Sequence, residues 1–237
     1  VADQQGFRYL GTELAVMGAA KNWKRYLNQQ IKPFVRGSVL EVGGGIGHNL
    51  EYFVNELVQR WTALEPDSSF AAQYRGRYNS APLDIPVTIQ ARVLSDLDCE
   101  QYDTLIYADV LEHIEQDQAE VRLAMAALKP GGHLVIVVPA HAYLFSEMDS
   151  KIGHHRRYNL PSLRALKPAN AEEVRARYLD CVGIMASLAN RLFLRQGTPT
   201  SRQIKLWDRL MVPLSRLLDP LSGFALGKSA LIVWKRV

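Results

Sequence analysis

Residues suited to chemistry gather at three places in this chain. The stretch Glu41-Val42-Gly43-Gly44-Gly45-Ile46-Gly47-His48 sets glycines at 43, 45 and 47 just behind a carboxylate. Glycines let a backbone approach a ligand closely, and a helix starting there leaves its first N–H groups free to face it. A dinucleotide turn would be spaced G-x-G-x-x-G, but His48 stands where its last glycine belongs. Glu41 would also repel a pyrophosphate, whereas it suits a cationic ligand. The second place is Glu65-Pro66-Asp67. Glu65 follows Gly43 by 22 residues, close to the roughly 20 between a glycine turn and a ribose-binding acid. The third is basic. His113, His141, His154 and His155 are candidate general bases, and the forks of Arg156 and Arg157 match a carboxylate or phosphate. The alternative for these arginines is an ion pair with Glu147 or Asp149.

Strands must carry these groups. Residues 38–42 form a short apolar run that ends at the glycines, and 49–54 read as the helix after it. A second strand at 61–64 delivers Glu65, after which Ser68-Ser69 caps a helix to about Tyr78. Residues 86–90 are a third strand and 102–108 a central fourth. The fourth runs into 109–114, read as a helix start with acids at its positive end. Residues 128–132 read as a turn and 133–139 as a buried fifth strand, with 172–179 and 229–235 the last two. Upstream, 12–34 carries Leu14, Met17, Trp23, Tyr26, Leu27 and Ile31 at helical spacing. The expected fold is α/β: a doubly wound, mostly parallel seven-stranded sheet with a helical insertion before the last strand. One domain spans 1–237: a helical cover (1–36), a cofactor-binding core (37–150), an acceptor-side cover (151–228) and the last strand (229–237).

In order and spacing, E-x-G-x-G-x-G at 41–47, E-P-D at 65–67, D-V-L-E-H at 109–113 and L-K-P-G-G at 128–132 resemble the class I S-adenosylmethionine (SAM)-dependent methyltransferases, near the ubiquinone-type, small-molecule branch. P-A-H-A-Y-L-F at 139–145 and G-H-H-R-R-Y at 153–158 resemble a bacterial subgroup linked to glycan, lipid or secondary-metabolite pathways. The resemblance implies SAM as cofactor, its amino-acid end at Glu41, Gly43, Gly45 and Gly47 and its ribose on Glu65 beside Pro66. Asp109 and Val110 are implied on the same side. The family's adenine-binding acid is replaced here by Arg92 or shifted to Asp96. His154 is the favoured base, with His141 and His113 as alternatives, and Tyr143, Arg156 and Arg157 are expected on the acceptor. The expected reaction is in-line methyl transfer to a small-molecule or lipid-linked acceptor, at oxygen, in which the protein aligns and dehydrates the reactants. No metal is expected, since no tight His/Asp/Glu cluster has ligand spacing; the Glu112-His113 pair, shared with ubiquinone-type relatives, is the one opening for it.

The formal net charge of +4 conceals a split. Residues 151–216 hold 13 Lys+Arg against 4 Asp+Glu, and the remainder 15 against 20. Such a basic segment suits an anionic acceptor, or is simply a solvated face. Nucleic acid is disfavoured as a partner: Asp109 lacks the following prolines of amino-group DNA methyltransferases, and neither cysteine follows a proline. Cys99 and Cys181 read as reduced thiols of a cytoplasmic protein, with no signal peptide and no transmembrane run visible. Leu206, Leu210, Leu214, Leu217, Leu218 and Leu221 form a stripe broken by Pro213 and Pro220, read as core or dimer packing ahead of peripheral membrane contact. A monomer or homodimer is expected. The competing class is a non-catalytic SAM-binding scaffold.

Overall fold

The computed structural model describes residues 18–97, 101–189 and 200–237. Leu14, Met17, Cys99 and the 190–199 part of the insertion lie outside the described residues.

Helix α1 (Lys21–Ile31) turns Trp23, Tyr26, Leu27 and Ile31 inward and ends in a 3-10 turn (Lys32–Phe34) that holds Pro33. There follow β1 (Gly37–Val42), a single-turn α2 (Leu50–Phe53), β2 (Val58–Leu64), α3 (Ser68–Ser80), β3 (Val87–Gln90), β4 (Tyr102–Ala108), α4 (Asp117–Ala126) and β5 (Leu128–Pro139). After a short α5 (Glu147–Lys151) and α6 (Leu160–Ala165), β6 (Ala171–Leu179) leads into the insertion. This contains α7 (Cys181–Ala189), α8 (Ser201–Leu206), a π-helical turn (Trp207–Met211) and α9 (Val212–Leu221), before β7 (Ser229–Arg236).

The seven strands lie in the order β3-β2-β1-β4-β5-β7-β6. β1 to β5 run parallel, and β7 is antiparallel to both β5 and β6. Both faces are covered, so the central strands are mostly apolar, with buried Glu41 and Thr104 as exceptions, and successive residues enter opposite cores. Val39, Ile106, Val135 and Val233 pack with α1 and the insertion, whereas Leu40, Leu105, Leu134 and Ile232 pack on the α4 side.

Several boundaries differ from the expected ones. Asp67, rather than Ser68-Ser69, caps α3, its carboxylate accepting from the N–H groups of Ser69 and Phe70. Residues 109–114 do not start a helix. Asp109 takes a left-handed φ of 57°, only a 3-10 turn follows (Leu111–His113), and α4 begins at Asp117. The helix-dipole argument for these acids therefore fails. Residues 128–132 belong to β5, with a register shift against β4 in place of a turn. β6, by contrast, lies where a strand was expected at 172–179.

The insertion is fastened by buried carboxylates. Asp208 accepts from the backbone N–H of Trp23 at 2.9 Å. Asp219 accepts from the Tyr26 hydroxyl at 2.6 Å and from Asp180 N–H at 2.7 Å. The leucine stripe faces away from this anchor. Leu210, Leu217 and Leu221 are 62%, 68% and 82% exposed, so it is not core packing of this chain. Among the described residues no helix is long and apolar enough to cross a membrane.

Candidate active site

The strand order reverses direction between β1 and β4, and ligands of open α/β sheets bind beyond the carboxyl ends of strands at such a point. A crevice of about 1160 Å³ opens there, walled by the glycine turn, the loops after β2 to β5, and the insertion through Trp207, Met211 and Lys228.

One half is built around the glycines. Gly43, Gly45 and Gly47 have φ of 68°, 55° and 79°, a left-handed region that side chains resist. A Cβ on Gly47 would lie 2.2 Å from the Tyr74 ring, and one on Gly43 would lie 2.6 Å from Val110. Glu65 spans two backbone donors, accepting from Gly45 N–H at 2.8 Å and from Asp67 N–H at 3.0 Å. It is largely buried and lines the crevice, and burial raises its pKa against those two bonds. Glu41 lies beneath the turn and off the crevice wall. Its carboxylate accepts from Tyr74 OH at 2.9 Å and from Asn49 Nδ2 at 3.1 Å, and burial pushes its pKa up to about 7. Pro66, Arg92 and Val110 line the crevice. Asp96 instead accepts from Val93 N–H in its own 3-10 turn.

The other half holds the histidines. Asp149, on α5, is buried and receives His154 Nδ1 at 2.8 Å, Arg157 Nε at 2.7 Å and Arg157 Nη2 at 3.0 Å. Burial alone would raise its pKa, but these bonds hold it well below the usual carboxylate range. His154 Nε2 lies 3.8 Å from Glu112 Oε1, and its ring stands edge-on to His113 at 4.6 Å between centroids. His113 is pushed down to about 4 by burial and by His154. Glu112 is fully buried, and its pKa is raised well above normal by burial and by Asp109. The Asp109 side chain is open to the crevice, but the crevice lies deep in the body. Desolvation therefore raises its pKa, opposed by its neighbours His154 and Lys228. Lys228 sits 3.7 Å above the Trp207 ring.

The structure brings His113 and His154 together and sets His141 elsewhere. His141 bonds the Gly227 carbonyl through Nε2 and stacks between Tyr143 and Tyr178, and neither His141 nor Tyr143 lines the crevice. The G-H-H-R-R-Y segment is largely a clasp. His155 N–H donates to the Glu112 carbonyl, Arg156 pairs with Asp117 at 2.5 Å and bonds the Glu115 carbonyl, and Tyr158 OH donates to Asp117. Arg157 lines the crevice and Arg156 does not. Tyr74, Asn49, Lys228 and the supporting role of Asp149 escaped sequence reasoning. Asp149 alone left a signal, lying five residues before His154.

Residues 40–134 match the family model of a methyltransferase domain. That segment is a SAM-dependent methyltransferase domain. SAM is the cofactor of this class, and the glycine turn and Glu65 fall within the matched segment. Solved structures show the same fold. The SAM-dependent methyltransferase from Mesorhizobium loti is 16% identical, with 89% of this chain and 96% of that one covered and a TM-score of 0.60. The N-methyltransferase NodS from Bradyrhizobium japonicum is 14% identical, covering 92% and 96%, with a TM-score of 0.58. The [4+2]-cyclase SpnF is 16% identical, covering 91% and 80%, with a TM-score of 0.61. No curated protein is close enough in sequence to match.

Proposed function

We propose that this methyltransferase domain moves the methyl group of SAM to an oxygen of a small-molecule or lipid-linked acceptor. The observation that carries the reading is one crevice holding both a glycine turn bonded to Glu65 and a histidine cluster backed by Asp149. The turn suits SAM because its close backbone leaves no room for Cβ atoms and brings a buried carboxylate beside it. Gly43, Gly45 and Gly47 would hold the amino-acid end and Glu65 the ribose, with Pro66, Arg92, Asp109 and Val110 around them. Glu41 acts from below, fixing the turn through Asn49 and Tyr74. Bound SAM supplies a sulfonium methyl: a C–O bond forms as the C–S bond breaks, its electron pair staying on sulfur as S-adenosylhomocysteine.

The chain's own residues align the acceptor, exclude water and take its proton. In a neutral imidazole, donation from Nδ1 to Asp149 leaves the lone pair on Nε2, the nitrogen nearer Glu112. His154 is the base in the metal-free chain, and His113 stands next to it. Arg157 and Lys228 give the crevice cationic groups that suit an anionic acceptor. The exposed leucine stripe, continuous with Leu206 on the crevice wall, suits an amphiphilic one.

Methyl-labelled SAM incubated with a panel of hydroxylated amphiphilic acids tests this, read as S-adenosylhomocysteine formed together with labelled acceptor. A second reading has its own support, since a [4+2]-cyclase shares the fold. Turnover of an acceptor with no S-adenosylhomocysteine would favour it.

A further inference from the structure

We propose that Glu112, His113 and His154 hold a divalent first-row metal ion at the acceptor end of the crevice. The inference rests on the methyl-transfer reading for its purpose, though not for its evidence.

The first observation is spacing. One ligand atom from each of the three residues lies within 4.8 Å of the others. Ligands bound at about 2.0–2.2 Å from one ion stand roughly 3–4 Å apart, so small side-chain rotations close the set. The second is Glu112 itself. It is fully buried, and neither carboxylate oxygen takes a hydrogen bond from another residue; its own backbone N–H is the one donor beside it. Leaving a buried carboxylate short of donors costs folding free energy, and native proteins reserve such groups for a reason. His154 Nε2 is 3.8 Å from Glu112 Oε1, too far for a hydrogen bond. An ion between the two would satisfy both.

The third observation is the outer layer. His154 is bonded through Nδ1 to buried Asp149, which Arg157 holds in place, and the His113 ring bonds the Gly153 backbone. Imidazoles that bind metals are oriented in this way, one nitrogen on a carboxylate or carbonyl and the other on the ion. Two imidazoles and one carboxylate suit zinc, manganese or iron(II) better than calcium or magnesium. Three protein ligands also leave a position open, which the acceptor oxygen would fill. In the loaded site His154 is a ligand and no longer the base. The ion would acidify the acceptor hydroxyl, which would give up its proton to solvent as it binds, before water is excluded for methyl transfer.

The test is titration of the chelator-stripped full chain with Co²⁺, Mn²⁺ or Zn²⁺ alone, with no SAM or acceptor present. The result expected is one equivalent bound, Co²⁺ showing ligand-field absorption, and a melting temperature raised by the ion. Glu112→Gln keeps the side chain's size and removes its charge; it should weaken binding at least tenfold and abolish the thermal shift. Asp149→Asn should weaken binding about 10–100-fold, the usual effect of losing such an outer partner. No stoichiometric binding by the parent chain, or equal binding by Glu112→Gln, overturns the proposal. Because SAM is absent, that failure leaves methyl transfer standing. Ion binding without S-adenosylhomocysteine from any acceptor would overturn the methyl-transfer reading alone.

Discussion

Replacing Glu65 with glutamine separates a ribose-binding carboxylate from a merely structural one. Both carboxylate oxygens are in use, one accepting from Gly45 N–H and the other from Asp67 N–H. A glutamine offers one acceptor oxygen and one NH₂, so one of the two backbone donors must face another donor. Leaving a largely buried donor unsatisfied costs about 1–3 kcal/mol of stability. If Glu65 also accepts from ribose hydroxyls, the variant loses a charged acceptor there. Bonds to charged groups contribute about 1.5–3 kcal/mol, which is roughly 10–150-fold in the dissociation constant of SAM. Calorimetry with SAM, beside a thermal melt of the ligand-free protein, measures the two effects separately. Lower stability with an unchanged SAM affinity would refute the ribose assignment and leave Glu65 as a brace for the turn.

Gly47→Ala should lose about 2–4 kcal/mol in denaturant unfolding, because its φ is 79° and a Cβ would meet the Tyr74 ring; a loss below that range would mean the ring moves freely. The Glu41 pKa of about 7 lies above its ordinary 4.5, so the folded chain binds more protons than the unfolded one between these values. Stability should therefore fall by about 3 kcal/mol as pH rises from 4.5 to 7, and urea melts of Glu41→Gln should lack that component. Asp219→Ala strands the Tyr26 hydroxyl and two backbone N–H groups. It should cost about 3–5 kcal/mol in urea unfolding, and a near-neutral result would mean that the insertion does not depend on that anchor.

The sheet was legible because its strands are buried on both faces and read as apolar runs, and Glu65 was legible because its distance from the glycines is set by one βα unit. The acceptor side was harder to read. Asp149 and His154 meet because α5 ends at Lys151 and the chain reverses at Gly153, whose φ is 83°, a local turn that neither a helical nor a strand period records. The supposed helix at 109–114 failed because Asp109 turns the chain through a left-handed conformation, which suits an Asp in a turn as well as a helix cap. His141 looked equivalent to His154 by position alone. Only the fold shows it bonded to the Gly227 carbonyl and stacked between tyrosines. The grouping of Glu112, His113 and His154 was likewise beyond sequence reading, since His154 joins the Glu112-His113 pair only in space.

The central claim is that the crevice between β1 and β4 binds SAM on the glycine turn and points its sulfur at the histidine cluster. A crystal structure of the chain with S-adenosylhomocysteine tests it most directly. The account predicts the amino-acid end against Gly43, Gly45 and Gly47, both ribose hydroxyls on Glu65, and the sulfur on the side of Glu112 and His154. Ligand density elsewhere, or a ribose that does not touch Glu65, would contradict it.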